Sequence, residues 1–239
     1  GGHTASGYWV DNNRATTIEG LYAAGDVAGG CPQKYVTGAL AEGEIAAEAI
    51  LEYLNGKDDD RIAAGNKEEA LERGGEQELS QIAIAKKAEY ESHLNASRSL
   101  MNAEQLEEAM QKIMDQYAGG IGTDYRYSGM SLAKADEKIA ALLPVVDTLA
   151  ATDTYELMQI YELRERLIVC QAVIAHLAAR KETRWHSFGE NTDYPQQSEE
   201  WMKYVNSRME NGEIKILYRD LITKENTGLN TAEKGAGER

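Results

Sequence analysis

Between residues 103 and 177 the apolar residues recur at steps of three and four, and no other feature limits the fold of this chain as strongly. Ala103, Leu106, Met110, Ile113 and Tyr117 form one run; Leu132, Ala135, Ile139, Leu142, Val146 and Leu149 form a second; Ile160, Leu163, Leu167, Cys170, Ile174 and Leu177 form a third. Each run gives a helix one apolar seam, and seams of similar length are buried together when the helices close on a shared core. The spacing predicts a three-helix bundle over residues 78–181. Pro144 removes an amide donor and is expected to bend or break the second helix.

The flanks are less regular. Residues 1–56 begin with glycine turns and short β-prone pieces, Tyr8 to Val10 and Leu21 to Ala24, and continue into a helix expected from about Thr37 to Asn55 and Gly56. Leu40, Ala47, Leu51 and Leu54 lie along one side of that helix, and Glu44, Glu48 and Glu52 along the other. Residues 57–77 are charged and glycine-punctuated and read as a linker. After the bundle, residues 182–225 form a mixed extension: a helix-like "SEEWMKYVNSR", then an Asn-Gly turn leading into the strand-like "EIKILYR". Residues 226–239 are polar and nearly free of large apolar groups, and are expected to be disordered. The fold class that follows is α+β, mostly α.

Composition excludes several functions. With 40 acidic and 25 basic residues the formal net charge is −15, which argues against nonspecific affinity for nucleic acid or an anionic membrane. No apolar run approaches the roughly 20 residues of a membrane span, and the expectation is a cytoplasmic protein. Cys31 and Cys170 are far apart, and no set of His, Cys, Asp or Glu has metal-ligand spacing, so no metal is expected.

Chemistry is concentrated near the start of the chain. "GLYAAGDVAGG" ends an apolar run in glycines around one carboxylate, Asp26; Gly25 and its neighbours allow a ligand to approach the backbone, and Asp26 can accept hydrogen bonds from sugar-like hydroxyls. Turn formation alone would explain the same residues. The helix that follows opens with "TGAL", whose free amides and dipole favour negative charge. His3, in a glycine-flanked loop, reads as either a structural or a catalytic histidine, and Lys34, just before the helix, as either a solvated surface group or an anion-binding one; these two are the candidate catalytic residues. His93 and His176 fall in helical segments and read as packed or surface groups, and His186 as a pocket or capping group.

"TTIEGLYAAGDVAGG" followed by "KYVTGALAEGEIAAEAI" resembles the end of the FAD-binding domain in the fumarate reductase and succinate dehydrogenase flavoprotein family, and the helical stretch running into "ARKETRW" and "DYP" resembles that family's C-terminal domain. The resemblance reaches to about residue 217. It implies the terminal part of an FAD-binding domain over residues 1–56, followed by the three-helix bundle and a short mixed segment. It also implies FAD as cofactor, with Gly25 and Asp26 on the ribityl side and Gly38, Ala39 and Leu40 presenting amides to the pyrimidine edge of the ring. His3 and Lys34 would face an oxyanion substrate.

"GGHTASGYWV" and Lys34 are most similar to the branch of the family that reduces adenylylsulfate to sulfite and AMP, although its histidine loop has cysteines and this one has none. Lys34 in place of arginine, and the missing Met of the HxxMGGI pattern, point away from dicarboxylates. An iron–sulfur, ferredoxin-like β subunit is the partner this resemblance implies. The chain lacks a GxGxxG turn for the other half of FAD and begins without Met, so the expectation is a C-terminal fragment that alone binds FAD poorly and is inactive. The alternatives are a fumarate reductase or an L-aspartate oxidase-like member of the family, or a non-catalytic helical module that binds a partner subunit.

Overall fold

The computed structural model describes residues 6–30, 35–63, 68–97, 100–184 and 189–221. Contacts divide the chain into two compact units, Gly1–Glu76 with Arg219–Arg239, and Gln77–Tyr218. Five helices carry most of it: α1 (Val36–Ala63), α2 (Glu68–Leu94), α3 (Ala103–Tyr117), α4 (Gly129–Val146) and α5 (Thr154–Ala179). The short strands are β1 (Arg126–Tyr127), β2 (Glu190–Asn191), β3 (Lys203–Glu210) and β4 (Glu213–Asp220). This is an α+β fold, mostly α. No helix among the described residues is long and apolar enough to cross a membrane.

In the larger unit α3, α4 and α5 close on one core. Leu106, Met110, Leu132, Ala135, Ile139, Val146, Leu149, Ile160, Leu163, Leu167 and Ile174 are buried together, with Ile113, Tyr117, Leu142, Cys170 and Leu177 packed at the edge. Every helix start in this core is capped. Asn102 and Gln105 form a reciprocal capping box on α3, and Ser128 and Ser131 form one on α4. Asp153 accepts from the amides of Tyr155 and Glu156 on α5. Such side chains satisfy amides that have no partner within the helix. Pro144 does not break α4, which runs through it and ends two residues later at Val146. Its missing donor therefore falls in the last turns, where loss of one hydrogen bond costs least.

The bundle gains a fourth member in the end of α2. Tyr161 of α5 donates its hydroxyl to Glu89 at 2.8 Å, and Lys86 pairs with the same carboxylate at 2.7 Å. Tyr90 meets the Tyr161 ring edge-on at 5.1 Å. Burial, together with the Glu89 hydrogen bond, pushes the Tyr161 hydroxyl well above the usual tyrosine range. His93 is buried, with Nδ1 2.7 Å from the Leu149 carbonyl, and its own carbonyl accepts from the Ala151 amide at 3.0 Å. Residues 57–77, expected as a linker, are helical up to Ala63 and again from Glu68, in keeping with the helix propensity of "KEEALER".

Beyond α5 the chain folds back on the bundle. β2 pairs in parallel with β1, with Arg126 opposite Glu190 and Tyr127 opposite Asn191. Asp193, of the "DYP" stretch, accepts from the Gly129 amide at 2.7 Å, a carboxylate at the start of α4. The helix expected from "SEEWMKYVNSR" does not form. Glu199–Trp201 make one 3₁₀ turn, and the remainder is β3, hairpinned to β4. The cause is Asn211–Gly212, both with positive φ (50° and 81°), a two-residue turn whose twist suits paired strands. The disorder expected for 226–239 concerns residues outside those described.

Candidate functional site

In the smaller unit, two backbone crossings shape the glycine-rich segment. The Tyr8 amide donates to Val27 and the Gly29 amide to Tyr8, each at 2.8 Å, so residues 7–8 run beside 27–29. A Cβ on Gly7 would lie 2.6 Å from the Val27 oxygen, and one on Gly29 2.9 Å from the Tyr8 oxygen. Only glycine allows that approach. A second pairing joins Ala15 to Tyr22, with the Ala23 amide donating to the Arg14 carbonyl at 3.0 Å. Val10, Ala23 and Ala28 bury one another between the two pairings.

The strand-like piece ends in a single 3₁₀ turn, Gly25–Val27. Gly25 is buried with φ 73°, and a Cβ there would sit 3.1 Å from the Cβ of Ala39, in the first turns of α1. Asp26 follows on the exposed side. The Ala39 amide bonds to the Tyr35 carbonyl at 2.9 Å, so the amides of Val36, Thr37 and Gly38 are those the helix itself cannot satisfy. Turn and helix start are thus in contact through Gly25 and Ala39. Among the sequence candidates, Gly25, Asp26, Gly38, Ala39 and Leu40 all fall at this junction, with Leu40 exposed. Of the three amides expected to face a ligand, however, only that of Gly38 lacks a partner within the helix, because those of Ala39 and Leu40 already bond to the preceding turn. His3, Lys34, Cys31 and His186 lie outside the described residues.

The packing face of α1 differs from the expected one. Leu40, Leu51 and Leu54 are exposed by half or more, whereas Ala46 and Ala49 are buried. The helix is apolar on both sides, and the side that packs within this unit is the one with small residues, which permits close approach to the turn. On that side lies Glu42, which spacing alone did not single out. Glu42 is buried; its Oε2 accepts from the Gly25 amide at 3.0 Å, and its Oε1 is 3.4 Å from Arg14 Nη2. A carboxylate in the row Glu42, Ala46, Ala49, facing only alanines, was the available signal. The expected length of α1 also falls short, since the helix continues past Gly56 to Ala63.

The junction fits one end of a flavin dinucleotide. Helix amides without an internal partner beside a carboxylate at the surface of the turn are the donor and acceptor types that an anionic ring edge and a hydroxylated chain would use. Gly7, Gly25 and Gly29 are accounted for by the close approach of the protein's own backbone and of Ala39. Among the described residues no group of His, Cys, Asp or Glu could hold a metal.

A second polar cluster lies in the larger unit. The Glu182 side chain is fully buried, accepting from Arg180 at 2.7 Å, from Arg184 at 3.0 and 2.9 Å, and from the Ser198 amide at 3.0 Å. Arg180 also donates to the carbonyls of Trp201 and Lys203, and Arg184 to that of Ser198. Burial raises the Glu182 pKa, but Arg184, the Ser198 amide and Arg180 outweigh it and hold the carboxyl below its usual range. The "RKETR" stretch thus clamps the C-terminal extension to the end of α5. No substrate-facing role is needed to explain it.

Comparison with known proteins places the chain in a flavoprotein family. Residues 107–233, just over half of the chain, match the fumarate reductase flavoprotein C-terminal family, and the chain belongs to that family. The adenylylsulfate reductase α subunit of Megalodesulfovibrio gigas is 30% identical over 204 residues, 82% of this chain and 29% of that protein. The adenylylsulfate reductase structure from Archaeoglobus fulgidus superposes with a TM-score of 0.70 at 31% identity, over 88% of this chain and 33% of its own. Quinol fumarate reductase of E. coli superposes at a TM-score of 0.68 over 99% of this chain and 39% of its own, at 21% identity, a likeness of fold. The chain spans about a third of the length of the relatives it matches.

Proposed function

We propose that this chain supplies the ring-side part of the FAD site and the helical C-terminal domain of a flavin-dependent oxidoreductase that acts on adenylylsulfate. The observation carrying the flavin reading is the contact between the Gly25–Asp26 turn and the first turn of α1 at Ala39. Residues 1–56 would belong to the FAD-binding domain, 57–77 connect it to the bundle of 78–181, and 182–225 complete the helical domain.

Asp26 would accept hydrogen bonds from the ribityl hydroxyls, and of the candidate amides that of Gly38, which has no partner within the helix, would meet the pyrimidine edge. The flavin would supply the two-electron chemistry. His3 and Lys34 would stabilise negative charge on the substrate. In the overall reaction the sulfur of adenylylsulfate gains two electrons, its bond to the phosphate oxygen breaks, and sulfite and AMP leave.

Identity favours this substrate over a dicarboxylate: 30–31% with adenylylsulfate reductases against 21% with the fumarate enzyme. Lys34 where dicarboxylate reductases carry arginine supports the same choice. An iron–sulfur β subunit would exchange electrons with the flavin, in keeping with the α-subunit designation of the Megalodesulfovibrio gigas relative. The test is reoxidation of the photoreduced full-length flavoprotein, followed at the flavin absorption band. Adenylylsulfate is expected to restore the oxidised spectrum and fumarate to leave it reduced; the reverse result would refute the assignment.

A further inference from the structure

We propose that Glu42 is a positioning residue for the flavin, fixing the Gly25–Asp26 turn against α1 without touching the ring itself; this rests on the flavin reading above. A buried carboxylate is costly unless its oxygens are engaged, and both oxygens of Glu42 are. Oε2 takes the Gly25 amide at 3.0 Å, and Oε1 faces Arg14 at 3.4 Å. Gly25 sits at φ 73°, where a Cβ would lie 3.1 Å from that of Ala39, and Glu42 secures this residue immediately before Asp26.

Arg14 carries the same signature from the other side. It is a non-glycine residue at φ 65°, a conformation that persists when surrounding contacts impose it. Its Nη1 donates to the carbonyls of Asp11 and Asn12, each at 3.2 Å, and its backbone carbonyl holds the Ala23 amide. Arg14, Gly25 and Glu42 come from a β-turn, the glycine turn and the helix. One carboxylate therefore ties together the three pieces that frame the junction. Displacing it would let the turn move relative to α1, and with it the Asp26 carboxylate relative to the free amides of residues 36–38.

The experiment uses the full-length flavoprotein with Glu42→Ala, Glu42→Gln and, in case the first variant fails to fold, Arg14→Met/Glu42→Leu, which removes both charges together. The FAD dissociation constant is read from flavin fluorescence, alongside hydrogen exchange at the Gly25 amide and the thermal midpoint of the apoprotein. Glu42→Ala is expected to raise the dissociation constant about tenfold or more and to speed Gly25 exchange about as much. Glu42→Gln, which keeps an acceptor for Gly25, should recover most of that loss. The double variant should fold and still bind FAD weakly. Wild-type affinity in Glu42→Ala or the double variant would overturn the proposal, as would a lower thermal midpoint with unchanged affinity. If the wild type itself bound no FAD, the flavin reading would fail first, a result distinct from equal binding by wild type and variant.

Discussion

Glu182→Ala should be among the most damaging single substitutions in the larger unit. It removes the acceptor of four hydrogen bonds and leaves two guanidinium groups and the Ser198 amide facing a cavity. Breaking a buried ion pair by deleting one partner costs about 3–5 kcal/mol. The Arg180 and Arg184 side chains keep 32% and 24% of their surface in solvent, which sets the expectation at the lower end. For a unit of this size, 1 kcal/mol shifts the melting point by about 2–4 °C, so the loss is on the order of 10 °C. Glu182→Gln keeps one acceptor oxygen and should fall between wild type and Ala. Thermal unfolding followed by far-UV circular dichroism measures both. The native carboxyl titrates below its unfolded value, so the clamp's contribution is full above the unfolded pKa and fades as pH falls through the folded one. The Ala variant should therefore differ most from wild type near neutrality and least in acid. A drop under about 2 °C at pH 7 for Glu182→Ala would refute the reasoning, because an engaged buried carboxylate cannot be that cheap to delete.

Three further outcomes follow from the same unit. Leu167→Ala, at a fully buried position of the core, should cost about 2–5 kcal/mol in chemical denaturation. His176 is held neutral by burial and by the charge of Arg180, with Nε2 2.8 Å from Ser207 Oγ; its NMR titration midpoint should lie below 6.5. Because its folded pKa is depressed, His176 favours the fold above its unfolded pKa and opposes it as pH falls below that value. Gly212→Ala places a side chain at φ 81° and should destabilise the β3–β4 hairpin by about 1–2 kcal/mol, seen as faster amide exchange in both strands.

The bundle was legible because each seam residue has a single apolar side to satisfy, and all three seams meet in one core. For α1 the same rule pointed the wrong way. Leucines marked one face and alanines the other, and periodicity weighs size, whereas contact with the Gly25 turn selects smallness. "SEEWMKYVNSR" failed for a related reason: its short apolar pattern suits either period, and the Asn211–Gly212 turn downstream decides for strands. The glycine turn was visible because a left-handed residue needs glycine at Gly25. Glu42 and Arg14 were not, since their pairing across 28 positions exists only once the turn has brought Arg14 under the helix. The Glu182 clamp was hidden similarly, as its Ser198 donor arrives from a loop that the sequence alone does not dock.

The most direct test is an equilibrium titration of FAD into the apo form of the full-length flavoprotein, comparing wild type with Asp26→Ala and Gly25→Ala. At Gly25 the added Cβ meets Ala39 at 3.1 Å and a φ of 73°, a strain of about 1–2 kcal/mol before any loss of ligand contact. If the junction of the turn and α1 is the ring-side FAD site, both variants weaken binding about tenfold or more while the α3–α5 bundle melts as in wild type. Affinity within about twofold of wild type in both variants would contradict the account.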